Sequence, residues 1–391
     1  MKTILKAFIA RAAASAVASV VSIAPALLLL FALAPSAMAQ YPRPGSGPQQ
    51  GYFFVGGRYV STAAGPMMER QMYVEYRYPA KITQRYPIVM IHGAAQTGTN
   101  FTGTPDGRKG WAEYFVEKGY AVYVIDQPTR GRSPWLEAVG PLTRFAASAV
   151  EQRFTAASNF NLWPQAKLHT QWPGEGPLKG LRGDPVFDQF YSSQVQYIGV
   201  NAIVEELNRD AGAALLDKIG PAIIMTHSQT GAIGWVIGNA RPKLVRAIVA
   251  AEPTGPPFAN AVFDSARARP YGLTETPLAY DPPISHPSQL KPVMQAEADG
   301  PNLTRCYTQA EPARKLTHLQ NIPIAILAAE SSYHAVYDHC TAKYLTQAGV
   351  PTTFVRLEDV GIRGNGHMMM IEKNNLEIAD FIDQWIVKTV R

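Results

Sequence analysis

From about residue 86 the chain alternates between short continuous apolar runs and stretches with helical spacing. "YPIVMIHG" over 86–93 ends in glycine and predicts a buried strand. "GWAEYFVEKG" over 110–119 predicts a helix with a glycine stop, and "AVYVID" over 121–126 the next strand. A helical stretch over 201–220 precedes "AIIMTHS" at 222–228, and another helix follows at about 230–240. Further strands are predicted at 244–252, 322–330 and 352–359, with helices near 336–348 and at 375–390. These strands are apolar throughout, so both their faces should be buried. The expected architecture is therefore an α/β fold, a mostly parallel central sheet flanked by helices.

Two stretches break the rhythm, at about 127–195 and 253–320, both rich in Pro, Gly and aromatic residues. Each leaves the carboxyl end of a strand, where α/β sheets carry their reactive groups. They are expected to be cap or lid insertions in a single domain over 51–391. Their aromatic residues Phe145, Phe154, Phe160, Trp163, Trp172, Phe187, Tyr191 and Phe258 suggest an apolar or aromatic pocket. The alternative is that they form the cores of the insertions themselves.

The first 39 residues have a different character. Lys2, Lys6 and Arg11 precede a long apolar stretch, and "AMA" stands before Gln40. That pattern predicts a cleaved secretory signal peptide and an exported protein, periplasmic or secreted, the alternative being an uncleaved anchor. Residues 40–50, rich in Pro, Gly and Gln, predict a flexible lead. The formal charge of +6 includes three leader cations and no leader acids, which leaves +3 for the mature chain. That value and the absence of a basic run argue against a nucleic-acid partner, and after leader cleavage no membrane association is expected. Cys306 and Cys340 are the two cysteines. In an exported protein a disulfide between them is expected, the alternative being two buried thiols. His334 and His339 stand five apart, off the spacing that shares a helix face, so no metal site is expected.

Ser228 in "MTHSQTG" lies where a buried strand turns into a helix, the position of a nucleophile elbow. Thr226 and Thr230 occupy the places that glycines normally take there, and Gly231 relieves crowding one residue later. On this motif alone a nucleophile and a structural serine are equally good readings. A nucleophile needs a base, and His367 in "GIRGNGHMMM" is placed to reach it from a loop before the last helix. His227 is expected to point away from the site and pack; His169, His286 and His318 lie in irregular regions. Backbone N–H groups of Ala94, after "IHG", and Gln229 are the candidate oxyanion donors.

"IHGAAQTG", "VIDQPTRGRS", "THSQTG" and a late "GNGH" occur in the order seen in the α/β-hydrolase superfamily, which the chain resembles over most of 80–390. A narrower resemblance is to a small group of bacterial exported esterases, carried by "HSQTG", "AAEPTG" and "GNGHMMMIEKNNL". In that group the triad acid is the glutamate after the strand that follows the nucleophile, which implies Glu252 here. Glu330, where most α/β-hydrolases place their acid, and Asp359 are the alternatives. The function implied is a serine carboxylic ester hydrolase with an acyl-enzyme, acting on a small-molecule ester without cofactor or metal. Peptidase or amidase, lyase or transferase, and non-catalytic binding protein are the competing classes.

Overall fold

The computed structural model describes residues 47–390. The expected leader, and the lead as far as residue 46, lie outside the described residues. Eight strands form the central sheet: β1 (Gln49–Thr62), β2 (Gly65–Tyr78), β3 (Ile88–Ile91), β4 (Val122–Asp126), β5 (Ala222–His227), β6 (Val245–Ala251), β7 (Ile324–Ala328) and β8 (Thr352–Arg356). Their order across the sheet is β1-β2-β4-β3-β5-β6-β7-β8. From β4 to β8 every pairing is parallel, while β2 runs antiparallel to both β1 and β4.

Successive side chains on a strand point to opposite faces, and this sheet uses both. Ile88, Met90, Val122, Val124, Ile223 and Met225 share one core with Trp111 and Phe115 of α1 (Trp111–Glu117) and with Ile378, Ile382 and Ile386. These isoleucines belong to the last helix, labelled α5 below. Val89, Ile91, Ile125 and Ile224 face Gly212 and Leu216 of α2 (Asn201–Ile219) and Ile237 of α3 (Thr230–Ala240). A Cβ on Gly212 would come within 2.4 Å of Ile237, so glycine sets how closely these two helices approach. The covering is completed by α4 (Asp338–Gln347) and α5 (Asn375–Thr389).

The strands and helices expected from 86 onward are all present, with no end moved by more than three residues. The antiparallel β1–β2 hairpin was not expected. Gln49 and Gln50, assigned by composition to a flexible lead, already pair with Tyr78 and Arg77 of β2. The hairpin escaped because β1 is mostly exposed and polar, with only Phe53 and Val55 buried. The alternating "QMYVEYRY" of β2 was the available signal. Between β4 and α2, and between β6 and β7, the chain makes the two long excursions, built of short helices and two-stranded pairs outside the main sheet. Among the described residues no helix is long and apolar enough to cross a membrane.

Candidate active site

Strand β5 is buried along its whole length and ends at His227; α3 begins at Thr230. Between them Ser228 has φ 59°, a left-handed conformation that costs a non-glycine residue about 1–2 kcal/mol. The surroundings hold it there. The Ser228 carbonyl accepts N–H bonds from Gly231 and Thr254, both at 2.9 Å, and Thr254 Oγ1 lies 3.1 Å from it. The threonines fit because the necessary space is provided elsewhere. A Cβ on Gly231 would come within 2.2 Å of the Pro253 Cβ, and one on Gly234 within 3.2 Å of Thr226 Cγ2. Thr230 also stitches the turn: its hydroxyl accepts the His227 N–H and lies 2.9 Å from the Ile91 carbonyl.

His367 lies between β8 and α5, and its side chain is almost completely buried. Its Nδ1 is 2.5 Å from Glu252 Oε2. Glu252 directly follows β6, at φ 49° and fully buried. Its Oε1 accepts the Ala329 N–H at 2.8 Å, and its Oε2 the Ser332 hydroxyl at 2.7 Å. The alternative acids lie elsewhere. Glu330 pairs with Arg363 at 2.7 Å and accepts the Gly364 N–H, while Asp359 is exposed on the short helix after β8. The glycine-rich loop is held by Glu372, which accepts the N–H of Gly366, the Nδ2 of Asn365 and a contact from His169 Nε2 at 2.7 Å. His169, unassigned by sequence, is thus a loop anchor.

His227 was expected to point away from the site. Instead its Nε2 donates to the His367 carbonyl at 2.9 Å and the two rings are 4.5 Å apart, because the loop folds back over the end of β5. Phe154 stacks on the His367 ring at 5.0 Å, and the His334 ring stacks nearly parallel to it at 4.9 Å. The Tyr333 hydroxyl is 3.4 Å from His367 Nε2 and interacts with the Ser228 side chain. One hydroxyl therefore interacts with both the serine and Nε2 of the imidazole.

Burial controls the charges. It pushes the Glu252 carboxyl up to about 7, against the pull of His334 and of the donors Ala329 and Ser332. It pushes the His367 imidazole well below the usual histidine range, assisted by His334. His334 itself is pushed down to about 4 by burial. The ligand atoms of Glu252, His334 and His367 lie within 4.8 Å of one another. The His334 nitrogens already contact Asp338 at 2.9 Å and the Tyr337 hydroxyl at 3.1 Å, and both Glu252 oxygens carry donors. Such a set is a closed hydrogen-bond network, not a group of free ligands.

Ala94 and Gln229 border the same cavity as Ser228, a pocket of about 340 Å³. Gly93 permits that closeness, since a Cβ there would meet Ser228 Cβ at 3.1 Å. The residue that sequence reasoning missed is Arg130, fully buried within the quoted "PTRGRS". It donates to the Gly93 carbonyl at 2.9 Å and to Gln229 Oε1 at 2.6 Å. His92 Nε2 accepts the Gln127 N–H at 3.1 Å, so Nδ1 carries the proton and donates to the same Gly93 carbonyl at 2.9 Å. That carbonyl shares its peptide with the Ala94 N–H. Two donors on one end of an amide strengthen the other end as a donor.

None of the eight aromatic residues singled out in the excursions borders this pocket. Phe154, Trp172 and Phe187 belong to the main core, and Trp163 to a small cluster with Ala157 and Ala166. The aromatic walls come from Tyr197, Phe263, Tyr333 and Tyr337 instead.

Comparison with known proteins bears on the family of the chain. A family model described as "Alpha/beta hydrolase family" matches residues 88–381. A protein of Fungal sp. (strain ATCC 74256), "Probable secreted lipase phiG", is 48% identical over 354 residues, covering 90% of this chain and 94% of that one. Among solved structures, one described as that of a novel bacterial esterase is 25% identical with a TM-score of 0.57, covering 90% of this chain and 100% of the other. With its sheet order, its serine at a strained strand-to-helix turn and this match across most of its length, the chain belongs to the α/β-hydrolase family.

Proposed function

We propose that this protein is an exported serine carboxylic ester hydrolase using a Ser228–His367–Glu252 triad. The observation that carries the reading is the 2.5 Å contact between His367 Nδ1 and the buried Glu252, with Nε2 of the same imidazole 3.4 Å from the Tyr333 hydroxyl, which also interacts with Ser228. Glu252 holds the proton on Nδ1 and leaves Nε2 free to accept one. The Ser228 hydroxyl gives its proton to Nε2 as its oxygen attacks the ester carbonyl, and the negative charge on the carbonyl oxygen is met by the N–H groups of Ala94 and Gln229. Collapse of that intermediate breaks the ester bond, and the alcohol leaves with the proton from Nε2. Water then repeats the sequence on the acyl-enzyme, releasing the acid and restoring the serine. Neither half-reaction needs a metal or organic cofactor. Export is supported by the charged-then-apolar leader sequence and by the name of the fungal relative. The tyrosine and phenylalanine walls offer the substrate apolar surface.

The test is direct. A fluorophosphonate should add to the protein, with the adduct on the peptide that contains Ser228, and purified protein should release acid from short p-nitrophenyl esters. An unlabelled Ser228 and no acid released would end the reading.

Arg130 gives a sharper expectation for the oxyanion site. Deleting a donor outright typically costs 10²–10³ in kcat. Arg130→Met weakens the Ala94 donor without removing it, so kcat should fall by roughly ten- to a hundredfold. KM should move little, because the stabilised charge exists only in the transition state. Burial lowers the Arg130 guanidinium to about 9, and Arg130→Lys, with a single terminal amine, cannot serve Gly93 and Gln229 together. It should therefore recover only part of the loss. A change confined to KM would remove Arg130 from this role.

A further inference from the structure

The pocket above Ser228 contains a cation that makes no hydrogen bond or ion pair among the described residues. Arg153, Arg269 and Asp264 are among its lining residues. Arg269 is committed to the fold: its Nε donates to the Pro256 carbonyl at 2.8 Å, and its Nη2 to the Ala259 carbonyl and to Asn260 Oδ1. Asp264 is likewise engaged, accepting from Asn260 at 2.8 Å and from the Ala266 N–H at 2.9 Å. Arg153 differs. Among the described residues its guanidinium makes no hydrogen bond and no ion pair, although the residue is half-buried. It lies instead over the ring of Phe263, with the guanidinium carbon 4.2 Å from the centroid.

The backbone around it is fixed. Arg153 lies in a π-helical turn, Glu151–Thr155, an uncommon form that recurs at functional sites. Three of its neighbours are anchored. Glu151 accepts from the main chain and side chain of Arg182, both at 2.9 Å; Thr155 Oγ1 donates to the Gly180 carbonyl at 2.6 Å; and Phe154 stacks on His367. Phe154 thus supports the imidazole while the adjacent Arg153 borders the cavity, its guanidinium over an aromatic ring. A guanidinium held in this way keeps its N–H fork for a ligand.

Resting on the esterase reading above, we propose that the substrate is an ester bearing a free carboxylate, and that Arg153 binds that carboxylate. A guanidinium meets a carboxylate through two parallel N–H bonds, a match of shape as well as charge. One such cation suits a singly charged group, and the nearby Asp264 disfavours a more highly charged one. The carboxylate can be carried on the acyl part, as in a half-ester of a dicarboxylic acid, or on the alcohol part, as in an ester of a hydroxy acid.

Matched substrates separate these. Mono-4-nitrophenyl adipate against 4-nitrophenyl hexanoate tests the acyl side; 3-acetoxybenzoate against phenyl acetate tests the alcohol side. In at least one pair kcat/KM should favour the anionic ester by about tenfold or more, the range of a charge-assisted bond. The preference should fall toward unity in Arg153→Gln, return in part in Arg153→Lys, and shrink as salt is raised. A second readout does not depend on turnover. By calorimetry on Ser228→Ala protein, adipate or 3-hydroxybenzoate should bind, and adding Arg153→Gln should abolish that binding. A wild-type preference for neutral esters in both pairs, or Arg153→Gln lowering both members of each pair equally, would overturn the proposal and leave the esterase reading standing. Failure to hydrolyse any of the four esters would count against the esterase reading, while the binding measurement still decides the role of Arg153.

Discussion

Glu252→Gln should lower kcat by about four orders of magnitude, the loss seen when the acid of a serine-hydrolase triad becomes an amide. Glu330→Gln should leave kcat within about threefold of wild type. The asymmetry follows from what each carboxylate touches. At position 252 the amide oxygen can still accept one of the bonds from Ala329 and Ser332, but the amide nitrogen presents donors. A donor facing Nδ1 forces the imidazole proton onto Nε2, and an Nε2–H cannot take a proton from serine. At position 330 the glutamine oxygen still accepts the Gly364 N–H, and what is lost is an ion pair with the largely exposed Arg363. Such pairs contribute at most about 1 kcal/mol. The pH profile gives an independent check. With the Glu252 carboxyl pushed up to about 7 by burial, the pair takes up a proton as pH falls through that region. A protonated Glu252 donates to Nδ1 just as the amide does, so activity should rise from pH 6 to pH 8 with its acid limb near 7. In Glu252→Gln that limb should disappear from the residual rate. Near-normal turnover in Glu252→Gln, with turnover abolished in Glu330→Gln, would transfer the acid to the position after β7.

These outcomes also measure how far the chain could be read before its structure. The ends of β5 and β6 were legible because buried parallel strands are continuous apolar runs, so the first polar residues after them, Ser228 and Glu252, stand out. Choosing Glu252 over Glu330 did not come from periodicity. Both follow "AAE" or its equivalent at a strand end, and only the resemblance separated them. Arg130 was not legible as a site residue. Its motif was visible, but its partners are a main-chain carbonyl and a glutamine brought near by folding, which no spacing encodes. The pocket walls failed for a related reason. Irregular segments have no period to say which aromatic faces inward, and Phe145 and Tyr197 touch each other while only Tyr197 borders the cavity. The threonines beside Ser228 illustrate the general case. A local motif weakened at two positions was restored by glycines at 231 and 234, and only the folded neighbours of those glycines show why.

Breaking the link between Cys306 and Cys340 should lower the free energy of unfolding by roughly 4 kcal/mol on the chain-entropy model. The disulfide is formed in the structure and closes a loop with a sequence separation of 34. It ties the second long excursion to α4, the helix that follows Tyr333 and His334. The cross-link acts on the unfolded chain, from which it removes the freedom of the loop it closes. Against a typical total of about 5–15 kcal/mol, the loss is a large fraction. Cys306→Ala/Cys340→Ala removes the link but also buried volume, since both side chains are fully buried. Reduction of the wild type removes the link alone, and it acts on a single bond because the chain has two cysteines. The two treatments should therefore shift the urea midpoint in the same direction, the double variant somewhat further because of the cavities. The proposed triad does not include either sulfur, so at low denaturant both forms should still be labelled by a fluorophosphonate at Ser228. An unchanged midpoint on reduction would show that the packing of the excursion against α4, not the covalent link, holds this side of the pocket in place.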